Sequence, residues 1–195
     1  MSATRKERPI AARRKQASSD AALMDRVAHG ERSALGELYD RYREPVRRFL
    51  AVATGDAEDV DDLVQATFLE AAKSAGRYDG RATCRPWLIG IAAQLLRRRR
   101  RSIMRRFALL AALGGGGARR SSPSPEPTLD ARRDLERALM RLSEAKRVTF
   151  LMAEVERQSC AEIAAALDVP IGTVWTRLHA ARADLRCALG KDDEP

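Results

Sequence analysis

Aromatic residues make up only 5% of the 195-residue chain. The apolar share rests instead on Ala, Leu, Val and Ile, which favours helices and excludes a large β-sandwich. No run of eighteen apolar residues occurs; the smoothest stretch, 107–113, is far too short to cross a bilayer. The N-terminus lacks the apolar core of a secretory leader, so none is expected. Cysteine is sparse: Cys84, Cys160 and Cys187 are an odd, widely spaced set without a C-x-x-C pair. That pattern points to neither a disulfide framework nor a zinc site, and fits a reducing cytoplasm. The four-glycine run 114–117 has neither the Lys nor the flanking strand of a phosphate-binding loop, and His29 and His179 stand too isolated for catalysis. No enzyme and no cofactor are expected.

Acid is missing from one block altogether. Of the formal net charge of +9, residues 1–19 carry +5 and residues 97–120 carry +9, while 20–96 and 121–195 are slightly acidic. The internal block holds Arg97, Arg98, Arg99, Arg100, Arg101, Arg105, Arg106, Arg119 and Arg120 with no acid among them. Like charges at i,i+4 repel, so such a run suits a polyanionic partner better than an ordinary solvated helix face. After it come four glycines and Ser121-Ser-Pro-Ser-Pro-Glu-Pro127, which resist helix and have nothing apolar to bury. The expected organisation is a disordered basic tail at 1–19, a helical body at 20–106, a flexible linker at 107–127, a second helical body at 128–190 and a short tail at 191–195. The fold class is all-α, two small helical domains joined by a flexible linker.

In the first body Asp20 can cap a helix ending near Gly30, and Ser33 a second whose Leu35, Leu38, Tyr42, Val46 and Phe49 keep helical spacing around Pro45. A third runs over 56–75 with Val60, Leu63, Val64, Thr67 and Phe68 on one face. Its early acids suit the helix dipole, but on the opposite face Asp62, Gln65 and Leu69 recur at i, i+3 and i+7, a mixed stripe able to dock a partner. A loop over 78–84 follows, and Pro86 opens a helix that leads from an apolar Trp87 segment directly into the arginines.

In the second body Leu135, Leu139 and Leu142 mark one helix, and Ser143 caps another. Ser159-Cys-Ala-Glu162 is a capping box opening a short helix, followed by a tight turn and the helix beginning near Thr173. With Ile163, Leu167, Val169, Val174 and Leu178 inward, this is a helix-turn-helix. Trp175, Thr176, Arg177, His179 and Arg182 occupy its outward positions and are types that reach base edges or phosphates; spacing leaves open whether Trp175 is core or surface.

Taken together, Glu37-Leu-Tyr-Asp-Arg-Tyr42, Asp59-Val-Asp-Asp-Leu-Val-Gln-Ala-Thr-Phe-Leu69, Trp87-Leu-Ile-Gly-Ile-Ala92 and the block from Glu162 to Arg182 resemble a sigma factor of bacterial RNA polymerase, of the small extracytoplasmic-function group in the sigma-70 family. The resemblance implies that the first body is region 2 and the second region 4. It implies docking on the polymerase clamp helices through Asp62, Gln65 and Leu69, with region 4 at the polymerase flap. It implies minus-10 strand binding by Tyr78, Arg81, Thr83, Gln94, Arg97 and Arg98. It implies minus-35 binding by Thr173, Trp175, Thr176, Arg177, His179 and Arg182, with Arg177 and Arg182 on phosphates. The implied partners are polymerase core, promoter DNA and an anti-sigma protein, with action in the bacterial cytoplasm and no membrane insertion. Gln94 stands where many members have Asn, Trp175 where Lys or Arg is common, and Leu142-Ser143 where Leu-Pro is common.

Two rivals explain less. A free-standing helix-turn-helix regulator leaves the 59–69 stripe and the Trp87 segment unused. A nonspecific nucleic-acid-coating protein uses only the arginines and predicts little sequence preference with a steep salt dependence.

Overall fold

The computed structural model describes residues 19–55, 60–80, 83–112 and 131–190, and every regular element among them is helical. The basic tail up to residue 18, the early acids Asp56, Glu58 and Asp59, Arg81, and the Gly/Ser/Pro segment lie outside the described residues.

Helix α1 (Asp20–Ala28) is capped by Ser19, whose hydroxyl accepts from the Ala22 amide at 3.2 Å. Sequence reasoning assigns that role to Asp20. Asp20 instead lies buried in the first turn, where Tyr42, Arg41 at 2.6 Å and the Cys84 amide at 2.7 Å all donate to its carboxylate. Helix α2 (Arg32–Thr54) starts just before Ser33, takes no side-chain cap and runs through Pro45 unbroken. It ends at Gly55, whose φ of 71° is the left-handed conformation a side chain disfavours.

Helix α3 (Val60–Ser74) buries Val60, Leu63, Val64, Thr67 and Phe68, and one short 3-10 turn (Ala75–Arg77) leads to the loop. Helix α4 (Arg85–Ala112) begins at the residue before Pro86, which puts the proline in a first turn where its missing N–H breaks no bond. It continues through the arginines at 97–106 to Ala112, past the boundary expected at 106, while Arg119 and Arg120 lie outside the described residues. Repelling charges do not end it, because its N-terminal half is anchored by buried Leu88, Ile89, Ala92, Ala93 and Leu96.

Helices α5 (Ala131–Arg141) and α6 (Glu144–Phe150) follow, the second capped by Ser143 as its sequence predicts and extended by a π-helical turn at Leu151–Val155. Helix α7 (Cys160–Leu167) carries the complete Ser159/Glu162 capping box. Asp168 turns the chain with φ 50°, and α8 (Ile171–Ala188) completes the helix-turn-helix.

The two bodies do not keep separate cores. The apolar cluster built from α1 to α4 continues without a break into Val148, Leu151, Met152, Ile163, Leu167, Val174 and Leu178. Helix α4 is the shared wall. A Cβ on its Gly90 would stand 3.3 Å from the Cβ of Ala166, so the missing side chain is what lets α7 lie so close. A smaller cluster of Ala138, Leu139, Leu142, Ala181 and Leu185 joins α5 to α8.

Candidate nucleic-acid and polymerase interface

The α3 stripe is where its period places it. Asp62, Gln65 and Leu69 are all exposed, opposite buried Leu63, Val64 and Phe68, and Leu69 leaves 59% of its surface in solvent. An isolated surface leucine is ordinary; this one is aligned with two exposed polar residues on a helix whose other face is core.

At the start of α4 the side chains are held by one another. Tyr78 is half-buried, with its ring edge-on to Trp87 at 5.4 Å, and burial together with a bond to Cys84 raises its pKa well above the usual tyrosine range. Thr83 is exposed; its hydroxyl contacts the Tyr42 hydroxyl at 3.2 Å and accepts from the Arg85 amide. Burial pushes the Cys84 thiol up to about 12, so it is an inert core group, not a nucleophile. Further along, Gln94 and Arg97 face the second body. Gln94 donates its amide to the Ala166 carbonyl at 2.8 Å, and Arg97 donates to the Asp168 carbonyl at 3.2 Å. Arg98 points to solvent.

On α8, Trp175, Thr176, His179 and Arg182 are exposed, and Trp175 keeps 59% of its surface in solvent. The indole is therefore surface, not core. Trp175, His179 and Arg182 are spaced i, i+4, i+7 and flank a hollow of about 360 Å³ with Cys160 at its edge. Thr173 is half-buried, and the Thr176 hydroxyl bonds back to the Gly172 carbonyl. Arg182 is held by Glu154 at 2.6 Å. Arg177 departs from the expected pairing with Arg182: five residues along a helix rotate it away, and it turns toward α4 and Arg97.

Sequence reasoning missed the residues that join the bodies. Arg85 grips Glu156 through two bonds of 2.7 and 2.9 Å, and Gln158 donates to the Pro86 carbonyl. Arg147, only 6% exposed, donates to carbonyls at the ends of both α2 and α5. The available signal was position: Arg147 precedes Leu151 by one helical turn, on the apolar face of its own helix.

Among the described residues, no helix is long and apolar enough to cross a membrane. The family model for Sigma-70 region 2 matches residues 38–106, and that for Sigma-70, region 4 matches residues 132–185. RNA polymerase sigma factor CarQ of Myxococcus xanthus is 31% identical over 169 residues, covering 86% of this chain and 96% of that one. RNA polymerase sigma factor NccH of Alcaligenes xylosoxydans xylosoxydans is 32% identical over 177 residues, covering 88% and 95%. Among solved structures, CnrH in complex with the cytosolic domain of CnrY is 26% identical with a TM-score of 0.56, covering 89% of this chain and 99% of that one. The sigma factor RpoE bound to the anti-sigma factor NepR from Bartonella quintana has a TM-score of 0.60 at 24% identity, covering 82% and 98%, which is a likeness of fold.

Proposed function

This chain belongs to the extracytoplasmic-function group of the sigma-70 family of RNA polymerase sigma factors and directs promoter-specific transcription initiation, and from that premise we propose how its residues divide the work. Asp62, Gln65 and Leu69 dock α3 on the clamp helices of the polymerase core. Tyr78, Arg81, Thr83, Gln94, Arg97 and Arg98 receive the melted minus-10 strand. Trp175, Thr176 and His179 read the minus-35 duplex, Arg182 positions α8 on the phosphates, and Thr173 and Arg177, which line the cleft beside α4, join that contact only once the bodies part.

The observation that carries the reading is α8 itself: Val174 and Leu178 are buried, while Trp175, Thr176 and His179 stand exposed one turn into the helix, where a recognition helix meets base edges. Gln94 bonds to the last turn of α7 and Arg97 to Asp168 just after it, so strand capture requires the bodies to part at that contact. The chain needs no catalytic group of its own, since polymerase makes the phosphodiester bonds. It acts in the cytoplasm beside that enzyme, and an anti-sigma protein is a further partner. The test is to add purified chain to sigma-free core on a library of genomic fragments. Discrete start sites that depend on the chain are expected. Sequence-specific duplex binding without polymerase, and no transcripts with it, would favour the free-standing regulator.

A further inference from the structure

The cleft between the bodies is a second basic feature, separate from the exposed face of α8. It encloses about 460 Å³, with α4 on one side and α6 and α8 on the other. Arg97, Arg100, Arg101 and Arg177 line it, and Glu144 is the one carboxylate among its lining residues. Arg100 already pairs with Glu144 at 3.5 Å, and Arg97 bonds to a neutral carbonyl. Arg177 has burial and the repulsion of Arg97 both working against its charge, which lowers its pKa. The floor is apolar, formed by Leu96, Val148 and Leu167, and Thr173 contributes from the first turn of α8.

Cations converging on low-dielectric walls concentrate positive potential, and closing the bodies brings Arg97 and Arg177 together at a cost that a bound anion would remove. Guanidinium groups match phosphate oxygens in geometry as well as charge. The volume is that of a small-molecule site and cannot admit a duplex, while the apolar floor favours an organic ligand over a bare ion. We propose that this cleft binds a small organic phosphate, its phosphates on Arg97, Arg101 and Arg177 and its flat apolar part on Leu96, Val148 and Leu167.

Because the cleft exists only while the bodies are together, the ligand holds the closed arrangement by its preference for that state. The consequence for promoters rests on the proposed function: a closed chain keeps Gln94 and Arg97 from the minus-10 strand. Binding itself needs neither polymerase nor DNA, so its failure and a failure of the transcription assay are separate results.

The experiment is calorimetry on the full chain at low salt with ATP as the probe, tripolyphosphate as the head group alone and an oligo-glutamate peptide as a third arm. One saturable ATP site is expected, with tripolyphosphate weaker. Arg177→Gln and, separately, the exposed Arg101→Gln should each weaken ATP about tenfold, in line with removal of one charge-assisted hydrogen bond. Arg43→Gln combined with Arg48→Gln, on α2 away from the cleft, should change it less than about twofold. Melting curves verify that each variant is folded. No saturable site, an equal loss in the α2 variant, or tighter capture of the peptide than of ATP would overturn the proposal.

Discussion

Arg147 on α6 grips the last turn of α2 by donating to the Ala53 carbonyl through both Nε, at 3.0 Å, and Nη2, at 2.8 Å. The same guanidinium reaches the Leu139, Met140 and Leu142 carbonyls at the end of α5. Burial pulls its pKa down, although a guanidinium still stays charged. Its charge is met by nearby Glu144 and by two helix C-termini, whose unsatisfied carbonyls carry partial negative charge.

Arg147→Met therefore leaves carbonyls of two helices without donors. Global stability should fall by about 2–4 kcal/mol, and Arg147→Lys, with fewer and less spread donors, should recover less than half of that. Urea denaturation of the full chain measures both.

Asp20 contributes to the acid limb of stability, alongside Glu31, which hydrogen bonds from Arg26 and Ser33 hold at a lowered pKa. Burial alone would raise the pKa of Asp20, but the Tyr42 hydroxyl, the Cys84 amide and Arg41 outweigh burial and hold the carboxyl below its ordinary value of 3.8. A depressed folded pKa contributes stability that is present above the unfolded value and lost as pH falls through the folded one. The melting temperature should thus hold from pH 7 to about pH 5 and drop below about pH 4. Asp20→Asn should melt lower at neutral pH and show a shallower acid drop; an unchanged acid limb would remove Asp20 as a contributor to it.

Leu69→Arg should leave the fold intact, since the side chain is already 59% exposed, yet place an unpaired charge in the polymerase contact. Affinity for core should fall by at least about tenfold, measured by fluorescence titration of labelled chain. Affinity unchanged within about twofold would take Leu69 out of the interface.

Trp175→Ala should melt like the parent chain and change which bases are tolerated at one or two minus-35 positions, because the indole offers an apolar edge to a thymine methyl. Arg182→Ala should weaken all sequences about equally, as removing a side chain from a phosphate does. A randomised minus-35 library distinguishes the two patterns.

Replacing the exposed Arg98 and Arg101 together with Gln should reduce the slope of log affinity against log salt by roughly two units in holoenzyme–promoter binding, about 0.9 for each phosphate that is no longer neutralised. An unaltered slope would return these residues to simple solvation.

Local chemistry made much of this chain legible from its residues alone. The Ser159/Glu162 box, the Ser143 cap, the exposed 62–65–69 stripe and the inward Ile163, Leu167, Val174 and Leu178 all follow from interactions within one or two helical turns, where period and capping suffice. Tertiary structure alone decided that α4 serves as a common wall, that Gly90 marks its closest approach to α7, and that Gln94, Arg97 and Arg177 turn inward while Trp175 turns out. The reason is separation along the chain. Gln94 finds its acceptor 72 residues away and Arg147 finds Ala53 94 residues away. No helical period reports which carbonyl will lie opposite a given side chain once the two bodies dock.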